Sequence, residues 1–338
     1  MGNTRILKKQ FLTDNADQEY LSISYSQLST FIQCPRKWFL YYLCGKGHST
    51  NTESTELGTQ VHAAIEEFCY KKSQGYEWTV AEYVELVETN LNKRTIKFKE
   101  QEDAIIVDQH LDMAKSIVEG RQGLGKLLKR CDVIAQELEF KLSFKLPFTV
   151  SFEGNTYNEV ILNGFIDLLL KDKETGGIII VDHKSSKKVF EEDKLWHDYQ
   201  FPIYQLVVLQ LYKRLPEKCY YYFTRFDQLV EVHPLVLNDE DAKVVKYYKS
   251  GKNKGKPKYK IKTVGEIEKE LIKIFKHMYC PKNVTDYTPN ATALCSWCNF
   301  SPWYGETGGC MSAQYYERQD ALPIERKRNS VNTIKHTR

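Results

Sequence analysis

Three side chains in the middle of the chain have the types and the spacing for metal-assisted chemistry on a phosphate ester. Asp167 ends one apolar stretch, LNGFID, and Asp182 and Lys184 end the next, IIIVDHK, beyond a Gly-Gly turn. Because side chains alternate along a strand, Asp182 and Lys184 should project from the same face. His183 should then point away and offer only its backbone carbonyl.

Two acids and a lysine are what hydrolysis of a phosphodiester needs. Carboxylate oxygens hold a divalent cation, the cation activates a water, and a lysine stabilises the negative charge that develops on the phosphate. An Asp-x-Lys triplet on its own is common, however, and usually forms a solvated ion pair at a strand end. The rest of the sequence must therefore decide between the two interpretations.

The overall composition indicates a folded protein. The 338 residues are 42% hydrophobic and 27% charged, which suits one large domain or two modest ones. The formal net charge of +4 is compatible with a polyanionic partner but does not require one. The N-terminal segment lacks the apolar core of a signal peptide, and no stretch is apolar enough to span a bilayer, so we expect a cytoplasmic protein without a membrane anchor.

The first third of the chain has helical patterns. Residues 24–43 should form two helices, the first capped by Ser26 and the second beginning at Pro35. A third helix is predicted at about 56–70, and two longer ones should fill most of 79–130.

Strand patterns dominate from Asp132 onwards and predict an α/β core, a mixed sheet flanked by helices. The predicted strands are VIAQELEFKL, FKLPFTVSF, YNEVILNGFIDLLL, GIIIVDHK, CYYYFTRF and LVEVHPL. The unbroken apolar run before Asp182 indicates a central strand buried on both faces. A helix is predicted over 192–215, and the lysine-rich residues 249–262 should form a mobile basic loop.

Cysteines form a second group that could do chemistry. Cys295 and Cys298 make a C-x2-C pair in a segment with little periodicity, Cys310 follows, and Cys34 lies at the predicted junction of the first two helices. Four soft ligands suggest an iron–sulfur or zinc site. Cys280 is an alternative to Cys310. A redox role for the pair is less favoured because no thioredoxin-like strand–turn–helix pattern surrounds it.

Several short motifs occur in a fixed order. They are Cys-Pro-Arg-Lys (34–37), GTQVH (58–62), ELEF (137–140), GFID (164–167), DHK (182–184) and QFPIY (200–204). In this order they resemble the RecB-like PD-(D/E)XK nucleases with a four-cysteine iron–sulfur cluster, such as those of CRISPR spacer acquisition and bacterial recombination. The similarity extends from about Ser24 to Cys310. It implies a restriction-endonuclease-like fold and a bacterial or phage-infected cell as the setting.

The resemblance also implies roles for individual residues. Mg²⁺ or Mn²⁺ would be bound by His62, Glu137, Asp167 and Asp182, and Lys184 would orient the water or stabilise charge. Glu139, predicted on the same strand face as Glu137, remains an alternative ligand. Gln200 and Tyr204 are one helical turn apart and would lie near the active site and the DNA. Tyr204 could instead pack in the core.

By the same resemblance, Cys34, Cys295, Cys298 and Cys310 would hold one [4Fe–4S] cluster, with Zn²⁺ as the alternative. Cys310 follows the pair at a wider spacing than the family usually has, although glycines 305, 308 and 309 would let the chain fold back. Joining Cys34 to Cys295 would close a loop of about 260 residues and restrict the unfolded state by about 5 kcal/mol.

These inferences predict a modular organisation. An N-terminal extension (1–23) and a basic C-terminal tail (313–338) would flank cluster-binding ends (24–54 and 279–312) and a nuclease core (55–278).

Together they predict a metal-dependent deoxyribonuclease, an exonuclease rather than an endonuclease, acting on duplex ends or single-stranded DNA in replication, recombination or repair. Phosphate contacts would come from lysines at 187, 188, 252, 254, 256 and 258. A catalytically idle DNA-binding scaffold, or an accessory subunit of a helicase, is the alternative. The chain has no G-x4-G-K-[ST] phosphate loop, so a helicase or recombination enzyme would have to be a separate partner.

Overall fold

Helices and strands follow one another in the α/β order that the sequence predicts. The computed structural model describes residues 6–8, 19–43, 51–152, 155–281, 286–292, 294–295, 298–300 and 310. The helices are α1 (Tyr25–Gln33), α2 (Pro35–Trp38), α3 (Glu53–Ser73), α4 (Val80–Asn92), α5 (Glu100–Glu119), α6 (Gly123–Arg130), α7 (Glu192–His197), α8 (Gln200–Tyr212) and α9 (Val264–Tyr279). The strands are β1 (Ile6–Lys8), β2 (Glu19–Ser24), β3 (Cys131–Phe152), β4 (Asn155–Asp172), β5 (Ile178–Lys184), β6 (Lys218–Phe223), β7 (Gln228–Val232), β8 (Val244–Tyr247) and β9 (Pro257–Lys260).

The chain forms two compact units, each assembled from separated stretches of sequence. The first unit consists of Met1–Ser49, Lys141–Asn163 and Glu268–Arg338, and the second of Thr50–Phe140 and Gly164–Ile267. Every residue predicted to take part in phosphodiester cleavage belongs to the second unit, and every predicted cysteine ligand belongs to the first.

In the second unit, β5 lies at the centre of a mixed sheet. It pairs antiparallel with the end of β4 and parallel with β6, and β6 pairs antiparallel with β7. Ile178, Ile179, Ile180 and Val181 are all buried, as expected of a central strand covered on both faces. The Gly-Gly turn before β5 has Gly176 at φ +68°, a conformation that glycine adopts without a steric penalty.

Helix α3 covers this sheet with the apolar face that the sequence predicts. Val61, Ile65 and Phe68 are buried in one hydrophobic cluster with Leu168 of β4 and Val181 of β5. Burying side chains of this size stabilises the fold by roughly 1.5–3 kcal/mol each. The cluster therefore holds α3, which carries His62, against the strands that carry the acidic residues.

Several elements differ from the prediction. The two strands predicted as VIAQELEFKL and FKLPFTVSF form one continuous strand, β3. The helix predicted over 192–215 is broken at Asp198, which has extended backbone torsions and accepts a hydrogen bond from the Gln200 amide, so α8 begins at Gln200. The helical stretch before residue 131 contains three helices, because Gly120 ends α5 in the left-handed conformation. The cap of α1 is Ser24, whose hydroxyl accepts from Gln27, and Ser26 lies inside the helix.

The predicted mobile loop over 249–262 contains regular structure. Residues 257–260 form β9, which pairs with β8 to make a hairpin. Lys246 forms an ion pair with Glu192 at 2.7 Å, and Lys258 forms one with Asp193 at 3.0 Å. The base of the hairpin is thus attached to α7, and only its tip resembles the expected lysine-rich loop.

In the first unit, β2 pairs parallel with the beginning of β4 and antiparallel with β1. Helix α2 begins with Pro35, as predicted, and places Trp38 in the core, where its ring packs edge-on against Phe31 and Tyr279. Arg36 is buried and donates to the backbone carbonyl of Tyr287. In the part of the chain that the structure describes, no helix combines the length and apolar character needed to cross a membrane.

Candidate active site and cysteine cluster

Asp182 and Lys184 form an ion pair at the end of β5. Their side chains lie on the same face of the strand, as predicted, with Lys184 Nζ 2.5 Å from Asp182 Oδ2. Gln200 at the start of α8 contacts both groups: its Nε2 donates to Asp182 Oδ1 at 2.8 Å, and its Oε1 accepts from Lys184 Nζ at 3.1 Å. Tyr204 Oη lies 2.9 Å from Gln200 Nε2 and 3.4 Å from Asp182 Oδ1. The structure thus brings the predicted Gln200 and Tyr204 pair to the strand that carries Asp182 and Lys184.

Asp167 lies on the neighbouring strand, inside β4 rather than at its end. Its Oδ2 accepts a hydrogen bond from the backbone N–H of His183 at 2.7 Å and lies 3.7 Å from His62 Nδ1. The His183 ring Nδ1 is 3.9 Å from the same oxygen. The prediction that His183 offers only its backbone is therefore wrong, because this ring reaches the carboxylate.

His62, Asp167 and His183 are a potential metal-ligand group. Each offers one ligand atom, and these atoms lie within 4.8 Å of one another. Burial lowers the pKa of His183 to about 3, so its imidazole is neutral, the form that binds a metal. The sequence did not identify His183 as a candidate ligand. Side chains alternate along β5, so its ring was expected to point away from the side chains of Asp182 and Lys184.

Two glycines of the sequence motifs allow these elements to approach one another. Gly58 lies one helical turn before His62, and a Cβ there would come within 3.2 Å of Ser185 Oγ, just after β5. A Cβ at Gly164 would come within 2.9 Å of the Phe140 ring. A larger residue at either position would displace a neighbour of the site.

Glu137 has a backbone conformation that is rare for a residue other than glycine. Its φ is +43° in the middle of β3. Before it, Cys131 is buried at an odd position, whereas after it Phe140 and Leu142 are buried at even positions. A positive φ with a change of phase is the mark of a β-bulge, which re-aims one side chain. Beside this change Glu137 is half-buried, whereas Glu139 is exposed.

Burial and mutual repulsion set the electrostatics of these carboxyls. Burial, followed by repulsion from Asp167, raises the pKa of Glu137 to about 7. Burial raises the pKa of Asp182 to about 6, although Lys184 opposes the shift. Burial lowers the pKa of Lys184, but Asp182 outweighs it and the net shift is upward. One lysine does not neutralise these crowded acids, so the donor set fits a divalent cation.

The lysines predicted to contact DNA have different environments. Lys187 forms an ion pair with Glu102, whereas Lys188 is exposed beside β5. In the hairpin, the lysines at 252, 254 and 256 are exposed near the tip, while Lys258 is paired with Asp193. A phosphate that contacts the hairpin would therefore compete least with carboxylates at the tip lysines.

Four of the predicted cysteine ligands converge in the first unit. Cys34, Cys295, Cys298 and Cys310 line one cavity of about 340 Å³. Burial, followed by the other three thiols of the group, raises the pKa of Cys310 to about 12. Cys280 does not line this cavity, and its sulfur lies 3.9 Å from the carbonyl of Thr149.

Local hydrogen bonds orient two of these sulfurs. Cys34 caps α2, and its Sγ accepts from the backbone of Lys37 at 3.4 Å and of Asn290 at 3.5 Å. Cys295 Sγ accepts from the backbone of Thr292 at 3.5 Å. Glycines 305, 308 and 309 and the basic tail at 313–338 lie outside the described residues.

Comparison with known proteins identifies the family. A search of the curated proteins found no significant match. The crystal structure of SSO0001 is similar over 88% of this chain and 91% of that chain, with 13% identity and a TM-score of 0.30, which is too distant to bear on the fold. The family model for the PD-(D/E)XK nuclease superfamily matches residues 22–303, which include both the acidic site and the Cys34 segment. The chain therefore belongs to the PD-(D/E)XK nuclease superfamily, whose members use divalent metal ions.

Proposed function

We propose that this protein is a metal-dependent deoxyribonuclease of the RecB-like type, with Asp167, Asp182 and Lys184 at its cleavage centre. The observation that carries the proposal is the Asp182–Lys184 ion pair held by Gln200 next to Asp167 and two histidines. In an ordinary surface ion pair both groups are solvated, whereas the Asp182 carboxylate is buried and has three polar partners. The complete acid and lysine set also favours catalysis over an idle DNA-binding scaffold.

In this proposal Mg²⁺ or Mn²⁺ is held by His62, Glu137, Asp167 and Asp182, with His183 as a further donor. When bound, the ion would lower the pKa of a water and offset negative charge on the phosphate. Burial, followed by repulsion from Asp167, raises the pKa of Glu137, and a bound cation would offset that repulsion.

Lys184 has the position of a charge stabiliser. Its side chain is 23% exposed, whereas that of Asp182 is 2% exposed, so Lys184 is the more accessible member of the pair. The Gln200 amide keeps the ammonium in one orientation. Lys184 can therefore contact a phosphate oxygen while it still neutralises Asp182.

The substrate in this proposal is DNA, as duplex ends or single strands, and the reaction is exonucleolytic. Its support is the resemblance of the motifs to RecB-like nucleases and the exposed lysines of the hairpin tip. Replication, recombination or repair would be the setting, with a helicase or recombination enzyme as partner. We further propose that residues 55–278 form the nuclease core and that 24–54 and 279–312 bind the cluster.

A [4Fe–4S] cluster held by Cys34, Cys295, Cys298 and Cys310 is part of the proposal. Its support is the resemblance of the motifs and the convergence of the four thiols on one cavity of about 340 Å³. Thiolates are ligands for an iron–sulfur cluster and for Zn²⁺, which is the alternative.

The experiment that tests the function uses DNA labelled at the 5′ or the 3′ end, single- or double-stranded, and linear or circular. Each substrate is incubated with Mg²⁺, Mn²⁺ or EDTA. We expect cleavage only with the metal ion and only on linear DNA, with release of short products from one end. Cleavage of circular DNA would show that the protein is an endonuclease. Binding of DNA without cleavage would favour the catalytically idle DNA-binding scaffold.

A further inference from the structure

Lys194 on α7 is a second lysine near the Asp182–Lys184 pair. Desolvation lowers the pKa of Lys194, and Asp198 opposes this shift. Asp182 also opposes the shift in pKa, whereas Lys184 adds to it. Because the interaction of two charges weakens with distance, an ammonium group that is affected by both members of the pair must lie near them. Lys194 is therefore a further cation beside the proposed cleavage centre.

Aromatic rings hold the Lys194 ammonium in position. Its Nζ lies 3.4 Å from the centroid of the Phe190 ring, within the range of a cation–π contact. The Phe190 ring packs edge-on against Tyr221 and Phe223, with centroids 5.1 Å apart in both pairs. Tyr221 is also the ring nearest to Lys184, whose Nζ lies 5.3 Å from its centroid. The same group of packed rings thus contacts both lysines, and it orders Lys194 before a ligand binds, which lowers the entropic cost of binding.

The charge of Lys194 is available to a ligand. The two acidic residues that directly precede it on α7 are occupied by the hairpin, because Glu192 pairs with Lys246 and Asp193 pairs with Lys258. Among the described residues, no carboxylate forms an ion pair with Lys194, and the residue is exposed. An exposed ammonium group of this kind is suited to bind a phosphate of a nucleic-acid backbone.

We propose that Lys194 binds a backbone phosphate of the DNA, next to the phosphate that is cleaved. The proposal rests on the proposed function for the identity of the polymer. Lys184 is bonded to Asp182 and Gln200 and so belongs to the cleaved phosphate. Lys194 is held instead by Phe190, which gives it a separate position along the strand. Two phosphates of one strand would then be fixed at the cleavage centre, whatever the base sequence.

The test measures the affinity for a short single-stranded DNA against salt concentration, in EDTA so that no cleavage occurs. Lys194→Met should reduce the slope of log affinity against log salt by about 0.7, the contribution of one phosphate contact on a single strand. Methionine keeps an unbranched side chain over Phe190, so the variant removes the charge and keeps the packing. Lys194→Arg retains the charge and should keep the wild-type slope. Lys171→Met should keep it too, because Lys171 is exposed opposite Ile178, at the other end of β5 from Lys184.

The double variant of Lys184→Met and Lys194→Met tests whether the two lysines bind different phosphates. If they do, the losses of slope in the two single variants should add. A loss in the double variant no larger than in either single variant would place both lysines on one phosphate and overturn the proposal. An unchanged slope in Lys194→Met, or an equal loss in Lys194→Arg, would overturn it as well. A wild-type protein that binds DNA in these experiments separates a failure of this inference from a failure of the proposed function, whereas a protein that binds no DNA contradicts both.

Discussion

Gln200 donates its side-chain amide to a carboxylate oxygen of Asp182 at 2.8 Å, across 18 positions of sequence. The same amide accepts from Lys184, so one uncharged group fixes both members of the ion pair. This contact depends on the break at Asp198, which makes Gln200 the first residue of α8. We regard Gln200 as a positioning residue, because it acts through Lys184 and Asp182.

Replacing Gln200 with Ala should therefore lower kcat about 10- to 100-fold while KM changes little, since groups that orient metal ligands have effects of this size. The measurement is steady-state cleavage of labelled DNA. Gln210→Ala, at an exposed position of the same helix, is the matched control and should retain full activity. A Gln200→Ala enzyme with normal kcat would remove Gln200 from the proposed site.

Burial lowers the pKa of His110 to about 4, far below its value in an unfolded chain. The unfolded state then binds more protons than the folded state between about pH 6.5 and pH 4, so stability is full above this window and falls as the pH decreases. Between pH 7 and pH 5 the loss from His110 should be about 2 kcal/mol. Urea unfolding at both pH values should show that His110→Gln loses less free energy of unfolding than the wild type. An equal loss in the two proteins would contradict the assignment of this pH dependence to His110.

The hairpin lysines should differ in their contribution to DNA binding. Neutralising Lys252, Lys254 and Lys256 together should reduce the slope of log affinity against log salt by up to about 2 on single strands. Lys258→Gln should change the slope little, because Asp193 already compensates this charge. An unchanged slope in the triple variant would mean that the tip does not contact phosphates.

Anaerobically purified protein should be brown and contain about four irons per chain. Cys34→Ser should lose the iron and much of the stability together, because the cluster would join distant parts of the chain. Cys280→Ser should retain both, since its thiol does not line the cysteine cavity. A colourless protein with one tightly bound zinc would contradict the iron–sulfur cluster. Loss of iron in Cys280→Ser would identify Cys280 as the fourth ligand.

Local patterns in the sequence predict the α/β fold, the burial of β5 and the shared face of Asp182 and Lys184, because each depends on nearest neighbours along the chain. The reach of His183 towards Asp167 was not predictable in this way, since it depends on the packing of two strands and α3. The hairpin was missed for a similar reason: its lysines are held by carboxylates of α7, which are distant in sequence. The positive φ of Glu137 was not predictable either, because consecutive apolar residues at 133–135 hide the change of buried face along β3.

The most direct test of the central claim is the cleavage rate of Asp182→Asn in saturating Mg²⁺ or Mn²⁺, compared with the wild type and with Asp108→Asn. The amide keeps the shape of the side chain, and its oxygen can still accept from Gln200. Its NH2 group replaces the oxygen that pairs with Lys184, so the negative charge and one acceptor are lost. Asp108 is an exposed carboxylate on α5 and serves as the charge control. Cleavage by Asp182→Asn should fall about a thousandfold or more with DNA binding largely retained, whereas wild-type cleavage by this variant would contradict the proposed active site.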